Sequence, residues 1–212
     1  MTAVTEIALF DFGNVIARWD PALRYAEYAR RSGLAPAEVE RRLATDAFWS
    51  GTDRGLYSGD EMEKRICELL GCTFTRQELL ALQARAFSLD AEALALAAAV
   101  AERVRVGILT NNAPLLPEAL PVHFPEVLRV FDPILLSFQL GHVKPEPELF
   151  AAVQEYLGLA PGEILFIDDT AGHVRAAVSM GWDAVHYFAP GPLRRALQQR
   201  GTLDSPCWLP ST

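Results

Sequence analysis

Ile7-Ala-Leu-Phe-Asp-Phe-Gly-Asn-Val-Ile16 is the stretch around which the rest of the chain is organised. It begins as an apolar run that favours a strand and then reaches a carboxylate at Asp11. Gly13 and Asn14 follow at once and indicate a sharp change in backbone direction. Ligands of an open parallel sheet bind at the carboxyl ends of its strands, so this aspartate can face a ligand. The alternative is a turn-forming aspartate, and the other strand ends must decide between the two.

Four further short strands are predicted along the chain, and helical patterns separate them. These predicted strands cover residues 104–110, 134–137, 164–169 and 184–188. Strands that alternate with helices predict an α/β fold, a doubly wound parallel sheet with right-handed crossovers and helices on both faces. The sequence therefore predicts one core domain formed by residues 1–16 and 89–212.

Residues 17–88 are predicted to form a helical insertion after the first strand, with no strand of its own. Asp20 before Pro21 is typical of a helix start, because the side chain caps the helix and proline suits its first position. Two capping boxes, Ser58-Gly-Asp-Glu61 and Thr75-Arg-Gln-Glu78, start further helices. Apolar residues recur at helical spacing after each of them.

The bulk properties exclude some classes of protein. The net charge of −8 argues against binding to nucleic acid or to an anionic membrane, either of which needs a basic face. The first apolar run is too short for a signal or a membrane span. The three cysteines, Cys67, Cys72 and Cys207, lack metal-ligand spacing and are interpreted as reduced packing residues. We therefore expect a cytoplasmic protein.

Several strand ends and loops carry polar residues. They are Asp11, Thr110 with Asn111, Lys144, and Asp168 with Asp169. Because the carboxyl ends of parallel strands share one edge, these side chains can converge. They suit phosphoryl transfer with Asp11 as the nucleophile. Carboxylates around Mg²⁺ would let an anionic nucleophile approach a phosphate, while Lys144, Thr110 and Asn111 hold the phosphoryl oxygens.

With these residues in order, the chain resembles the haloacid dehalogenase (HAD) superfamily. The four motifs of that family match Asp11-Phe-Gly-Asn-Val15, Leu109-Thr-Asn111, Lys144-Pro145 and Phe166-Ile-Asp-Asp169. The helical insertion resembles the small helical cap of the family. The resemblance covers essentially the whole chain and implies a hydrolase.

The resemblance also implies a role for each motif residue. Asp11 is the nucleophile and a metal ligand, and the backbone carbonyl of Gly13 is a second ligand of Mg²⁺. Asp169 binds the metal directly, and Asp168 binds it directly or through water. The residues that bind the phosphoryl group are then Thr110, Asn111 and Lys144.

The chain departs from the family pattern at two positions. Most phosphatases of the family have a second aspartate where this chain has Gly13, and that carboxyl protonates the leaving group. The Asp-x-Gly-Asn-Val pattern resembles a branch with sugar-phosphate phosphatases similar to glucose-1-phosphate phosphatase, so activity is still expected. His142 is a candidate for the missing acid or a solvated loop residue. His173 replaces the usual Asp or Asn and either supports the metal ligands or starts a helix.

Three residues near the predicted cap are candidates for the substrate pocket. Arg18 and Trp19 follow the nucleophile loop, and Trp19 is alternatively a packing residue. Arg54 lies between cap helices and either binds a substrate group or points to solvent.

Three functions remain open from the sequence. The first is a Mg²⁺-dependent phosphatase that acts on a small phosphorylated metabolite, such as a sugar phosphate. The second is a 2-haloacid dehalogenase, against which the paired Asp168 and Asp169 argue because they would repel a carboxylate substrate. The third is a non-catalytic protein that binds phosphate or metal, which the absence of an acid at Gly13 motivates.

Overall fold

A parallel sheet forms the centre of the molecule, for which the computed structural model describes residues 4–44 and 48–204. Cys207, which was predicted to be a packing residue, lies outside these residues. The described strands are β1 (Ile7–Phe10), β2 (Ala17–Trp19), β3 (Phe87–Leu89), β4 (Arg105–Thr110), β5 (Ile134–Leu136), β6 (Ile164–Asp168) and β7 (Asp183–His186). Five of them form a parallel sheet with the order β5-β4-β1-β6-β7. This confirms the predicted α/β fold class.

Helices cover both faces of this sheet. The described helices are α1 (Pro21–Ser32), α2 (Pro36–Ala44), α3 (Phe48–Asp53), α4 (Gly59–Leu70), α5 (Arg76–Arg85), α6 (Ala91–Ala101), α7 (Leu115–His123), α8 (Pro125–Val130), α9 (Ser137–Leu140), α10 (Pro147–Leu157), α11 (Ala171–Ser179) and α12 (Pro190–Gln199). A search of the described residues finds no helix with the length and apolar character needed to cross a membrane.

Strand β1 lies in the middle of the sheet, hydrogen-bonded to β4 on one side and β6 on the other. Its side chains alternate between two apolar layers, as the pleat of a strand requires. Ala8 and Phe10 pack with α6 and α12, while Ile7 and Leu9 pack with α10 and α11. All four are fully buried. The residue after Phe10 therefore emerges at the centre of the carboxyl edge.

Helices α1 to α5 lie between β2 and β3 and form a helical segment. Asp20 accepts a hydrogen bond from the N–H of Ala22 at the start of α1. Both predicted capping boxes, at α4 and α5, are present. The segment has an apolar cluster that includes Tyr28, Leu43 and Ile66. The half-buried Cys67 and Cys72 are free thiols packed against this cluster.

The prediction that residues 17–88 contain no strand was wrong. Ala17 pairs with Leu89, and Trp19 pairs with Phe87, in an antiparallel ribbon formed by β2 and β3. The ribbon joins the two points where the chain leaves and re-enters the sheet domain. Each strand has three residues, and the exposed Arg18 and Trp19 break the apolar alternation that identifies a strand. The domain boundaries at 16/17 and 88/89 stay a prediction.

Candidate active site

Asp11 follows β1 and is buried at the carboxyl edge of the sheet. Its backbone N–H donates to the carbonyl of Ile167 at 2.8 Å, which continues the β1–β6 ladder by one residue. Its Oδ1 accepts the N–H of Phe12 at 2.7 Å and lies 3.0 Å from Nζ of Lys144. Burial raises the pKa of the Asp11 carboxyl, and the Lys144 ammonium acts against this rise.

Lys144 lies in the loop between α9 and α10, with its side chain buried. Its Nζ donates to Asp168 Oδ2 at 2.7 Å and to the carbonyl of Leu109 at 3.1 Å. Burial opposes the charge, but attraction to Asp11 and Asp168 outweighs it and raises the pKa of Lys144. The lysine is therefore a fixed positive charge between two carboxylates.

Asn111 holds the Lys144 loop against the end of β4. The amide of its side chain donates to the backbone carbonyl of Lys144 at 3.0 Å, and its Oδ1 accepts the backbone N–H of Lys144 at 2.8 Å. Next to it, Asn112 donates from Nδ2 to the hydroxyl of Thr110 at 3.2 Å. Thr110 itself is buried. These bonds fix two loops that are distant in sequence.

Asp168 is the fully buried last residue of β6. Besides Lys144, it contacts Nδ1 of His173 at 3.0 Å and accepts the N–H of Thr170 at 2.7 Å. Burial opposes its charge, but the hydrogen bond from His173 and the Lys144 ammonium outweigh burial and lower the pKa of Asp168 to about 2. Asp168 therefore stays ionised at neutral pH.

Asp169 is half-buried, and its side chain contacts the loop between β1 and β2. Asn14 donates from Nδ2 to Asp169 Oδ2 at 3.3 Å, and Asn14 Oδ1 accepts the N–H of Trp19 at 3.1 Å. Asn14 has a φ of 58°, a left-handed conformation that asparagine tolerates better than most residues. From the sequence, Asn14 is a turn signal and a motif residue, but its contact with Asp169 was not predicted.

The three aspartates can share one cation. Asp11, Asp168 and Asp169 each offer a carboxylate oxygen, and these oxygens lie within 4.8 Å of one another. Hard oxygen donors of this kind fit Mg²⁺. Asp168 already contacts Lys144, His173 and Thr170. These contacts are compatible with coordination of the cation by Asp168 through a water molecule.

A cavity of about 320 Å³ opens between this sheet edge and the helical segment. The sheet side of its lining includes Asp11, Gly13, Thr110, Asn111, Lys144, Asp169 and His173. The helical side includes Arg24, Tyr25, Trp49, Asp53 and Gln83. A Cβ built on Gly13 would meet the Cβ of Trp19 at 3.9 Å, an ordinary contact, so space alone does not require glycine there.

The pocket candidates occupy different places. Trp19 lines the cavity. Arg18 is exposed on β2. Arg54 forms a bidentate ion pair with Glu146, which links the end of α3 to the start of α10. Neither arginine lines the cavity. His142 is likewise outside the lining, with Nδ1 3.9 Å from Glu146.

Sequence reasoning missed most of the helical side of the cavity. Arg24, Asp53 and Gln83 come from three helices, α1, α3 and α5, and no short motif connects them. A charged residue on a helix is usually solvated, and only the packing of the helices turns these side chains inward. The unusual burial of Arg24 is visible in the structure alone.

The fold and site define an α/β enzyme with carboxylates and a buried lysine at the carboxyl edge of its sheet, facing a helical segment. The chain belongs to the haloacid dehalogenase-like hydrolases, since the model of that family matches residues 5–181. It is therefore a hydrolase of this family, as its four motifs predicted.

Three similar proteins illustrate the relationship. A Mycobacterium tuberculosis protein named as a phosphatase is 30% identical over 83% of this chain and 84% of its own length. The D-ribitol-5-phosphate phosphatase of Bacteroides thetaiotaomicron is 27% identical over 82% of this chain and 88% of its own. A crystal structure of a HAD-family enzyme from B. thetaiotaomicron, in complex with magnesium and inorganic phosphate, has a TM-score of 0.77 at 23% identity. It covers 88% of this chain and 96% of that chain.

Proposed function

We propose that the protein is a Mg²⁺-dependent phosphatase that hydrolyses a small phosphorylated metabolite, such as a sugar phosphate, through an aspartyl-phosphate intermediate. The observation that carries the proposal is the arrangement of Asp11 and Lys144, whose charged atoms are 3.0 Å apart, with Asp169 in the lining of the same cavity and the buried Asp168 beside them. Two similar proteins are named as phosphatases, which supports this reaction.

Asp11 is the nucleophile in this proposal. Its carboxylate oxygen bonds to phosphorus while the bond from phosphorus to the leaving oxygen breaks, and the leaving oxygen takes a proton from solvent water. A second water then attacks phosphorus, which releases inorganic phosphate and restores Asp11. Gly13 has no side chain that could carry a proton. Water molecules enclosed in the cavity with the substrate therefore give a proton to the leaving oxygen and take one from the attacking water.

The remaining residues of the sheet edge bind and orient the phosphoryl group. The Lys144 ammonium stabilises the charge that develops on the phosphoryl oxygens. The Thr110 hydroxyl donates to the same group, as does the backbone N–H of Asn111, whose side chain already holds the Lys144 loop. His173 keeps Asp168 ionised and in place.

Asp11, Asp169 and the Gly13 carbonyl would hold Mg²⁺, and Asp168 would bind it directly or through water. When bound, the ion would reduce the repulsion between the carboxylate nucleophile and the phosphate. The proposal includes the division of the chain into a core of residues 1–16 and 89–212 and a cap of residues 17–88. The cap would then exclude bulk water from the bound substrate. Of the described buried residues in the apolar cluster of the helical segment, all except Ala113 and Leu115 lie in residues 17–88, which supports this division.

A screen of phosphorylated metabolites and p-nitrophenyl phosphate, with Mg²⁺ and with a chelator, tests the function. Phosphate release that depends on Mg²⁺ is the expected result. Halide release from 2-haloacids that persists in the chelator would instead identify a dehalogenase. Binding of phosphate or Mg²⁺ in calorimetry, without turnover of any substrate, would identify a non-catalytic protein.

A further inference from the structure

Arg24 is an arginine buried in the wall of the cavity. Its side chain comes from α1 and the residue is 4% exposed. One guanidinium nitrogen donates to Gln83 Oε1 at 2.7 Å, and the guanidinium carbon lies 4.3 Å from the ring centroid of Trp49. Both partners also line the cavity. The guanidinium is therefore fixed in position beside the space that a ligand would occupy.

The fold leaves part of this wall without hydrogen-bond partners. Among the described residues, no carboxylate lies within ion-pairing distance of Arg24, and the guanidinium donates its hydrogen bond to a neutral amide. Arg24 Nε and Trp49 Nε1 are the two buried side-chain nitrogens or oxygens without a hydrogen-bond partner in the described part of the chain. Because unsatisfied buried donors are costly and rare, their presence together points to a ligand that satisfies them.

Asp53 adds an acceptor to the same wall. Burial raises the pKa of its carboxyl to about 6, and the positive charge of Arg24 opposes this rise. The group is therefore mostly ionised above neutral pH. Tyr25, Trp49 and Phe87 give the cavity aromatic surface as well.

We propose that Arg24, Trp49 and Asp53, here called the helical wall, bind the hydroxyl groups of a polyol or sugar that forms the non-phosphoryl part of the substrate. A hydroxyl group both accepts and donates hydrogen bonds, so it can pair with the donors of Arg24 and Trp49 and with the carboxylate of Asp53. A second anion on the substrate would pair with Arg24 but would be repelled by Asp53. The inference rests on the proposed phosphatase function and names residues that determine its specificity.

The experiment compares kcat/KM for two substrates in each variant. A five-carbon polyol phosphate carries the hydroxyl groups, and p-nitrophenyl phosphate lacks them. For Arg24→Gln, Asp53→Asn and Trp49→Phe, we expect the ratio of polyol phosphate to aryl phosphate to fall about tenfold or more, mainly through KM. Matched controls are Arg30→Gln, on the exposed face of the same helix, and Glu40→Gln, exposed on α2. The controls should keep the wild-type ratio.

Three results would overturn the proposal. Equal losses on both substrates would show that the helical wall acts only in folding or in the chemical step. A selective fall in kcat for Asp53→Asn, with KM unchanged, would make Asp53 a proton donor to the leaving group. A preference for 3-phosphoglycerate over the polyol phosphate, lost in Arg24→Gln, would show that the wall binds a second anion.

Failure of the phosphatase function gives a different result. If the wild-type protein releases phosphate from neither substrate, the function fails, and calorimetry with the polyol phosphate then tests the helical wall alone. Binding that weakens about tenfold or more in Asp53→Asn supports the wall, and no binding to the wild-type protein refutes it.

Discussion

The two sides of the cavity differ in whether their polar groups have hydrogen-bond partners within the protein. At the sheet edge, Lys144 forms ion pairs with both Asp11 and Asp168. These three residues, together with Asp169 and His173, are here called the sheet-edge cluster. On the facing side, the helical wall keeps donors without partners and a carboxylate whose pKa is raised by burial. The difference indicates that the sheet edge is preorganised for one reaction, whereas the wall is left open for a ligand to complete.

The largest expected effect comes from the centre of the sheet-edge cluster. Asp11→Asn keeps the shape of the side chain but removes the nucleophilic carboxylate, so we expect Mg²⁺-dependent activity to fall by about 10⁴-fold or more. Phosphate release from p-nitrophenyl phosphate measures the loss, and circular dichroism checks that the variant is folded. Activity within tenfold of the wild type would show that another group attacks phosphorus.

A second effect concerns the stability of the same cluster. Lys144→Met removes the positive charge and leaves Asp11 and Asp168 buried beside each other, a change that typically costs about 3–5 kcal/mol. The free energy of unfolding in urea, measured with a chelator at neutral pH, should fall by this amount. Lys64→Met, on an exposed position of α4, is the control and should change it by less than about 0.5 kcal/mol. Equal stability of the two variants would mean that the lysine does not hold the carboxylates together.

The sheet side was predictable because most of its polar groups lie at the end of a strand or directly after it. Asp11, Thr110 and Asp168 come directly after apolar runs, and parallel strands bring those ends to one edge whatever their separation in sequence. The capping boxes at Ser58 and Thr75 were predictable for a similar reason, since a local pattern determines a local structure.

The helical side was not predictable, because helix packing places its residues. Arg24 and Gln83 are 59 positions apart, and their hydrogen bond depends on how α1 meets α5. The β2–β3 ribbon was missed because its strands have three residues each, too few to show the alternation of apolar and polar residues that predicts a strand. The catalytic and binding roles of the individual residues stay predictions, which substitutions at Asp11, Lys144, Arg24 and Asp53 test.

The smallest effect has the opposite sign and concerns the helical wall. The pKa of Asp53 rises from 3.8 to about 6 on folding, so between about pH 4 and pH 6 the folded protein binds more protons than the unfolded chain. Its stability therefore falls as the pH rises through this window, and above pH 6 the charge of Asp53 costs up to about 3 kcal/mol. Asp53→Asn removes the charge and should raise the free energy of unfolding by about 1–3 kcal/mol at pH 7.5.

The dependence on pH separates this cause from ordinary packing. Below about pH 4 the carboxyl is neutral in both states, so the gain from Asp53→Asn should disappear there, and urea unfolding at the two pH values measures the difference. Glu40→Gln, on the exposed face of α2, should show no such gain. A loss of stability in Asp53→Asn at pH 7.5 would mean that Arg24 already compensates the carboxylate fully. In that case the wall would be a satisfied structural element like the sheet edge, and the contrast between the two sides of the cavity would fail.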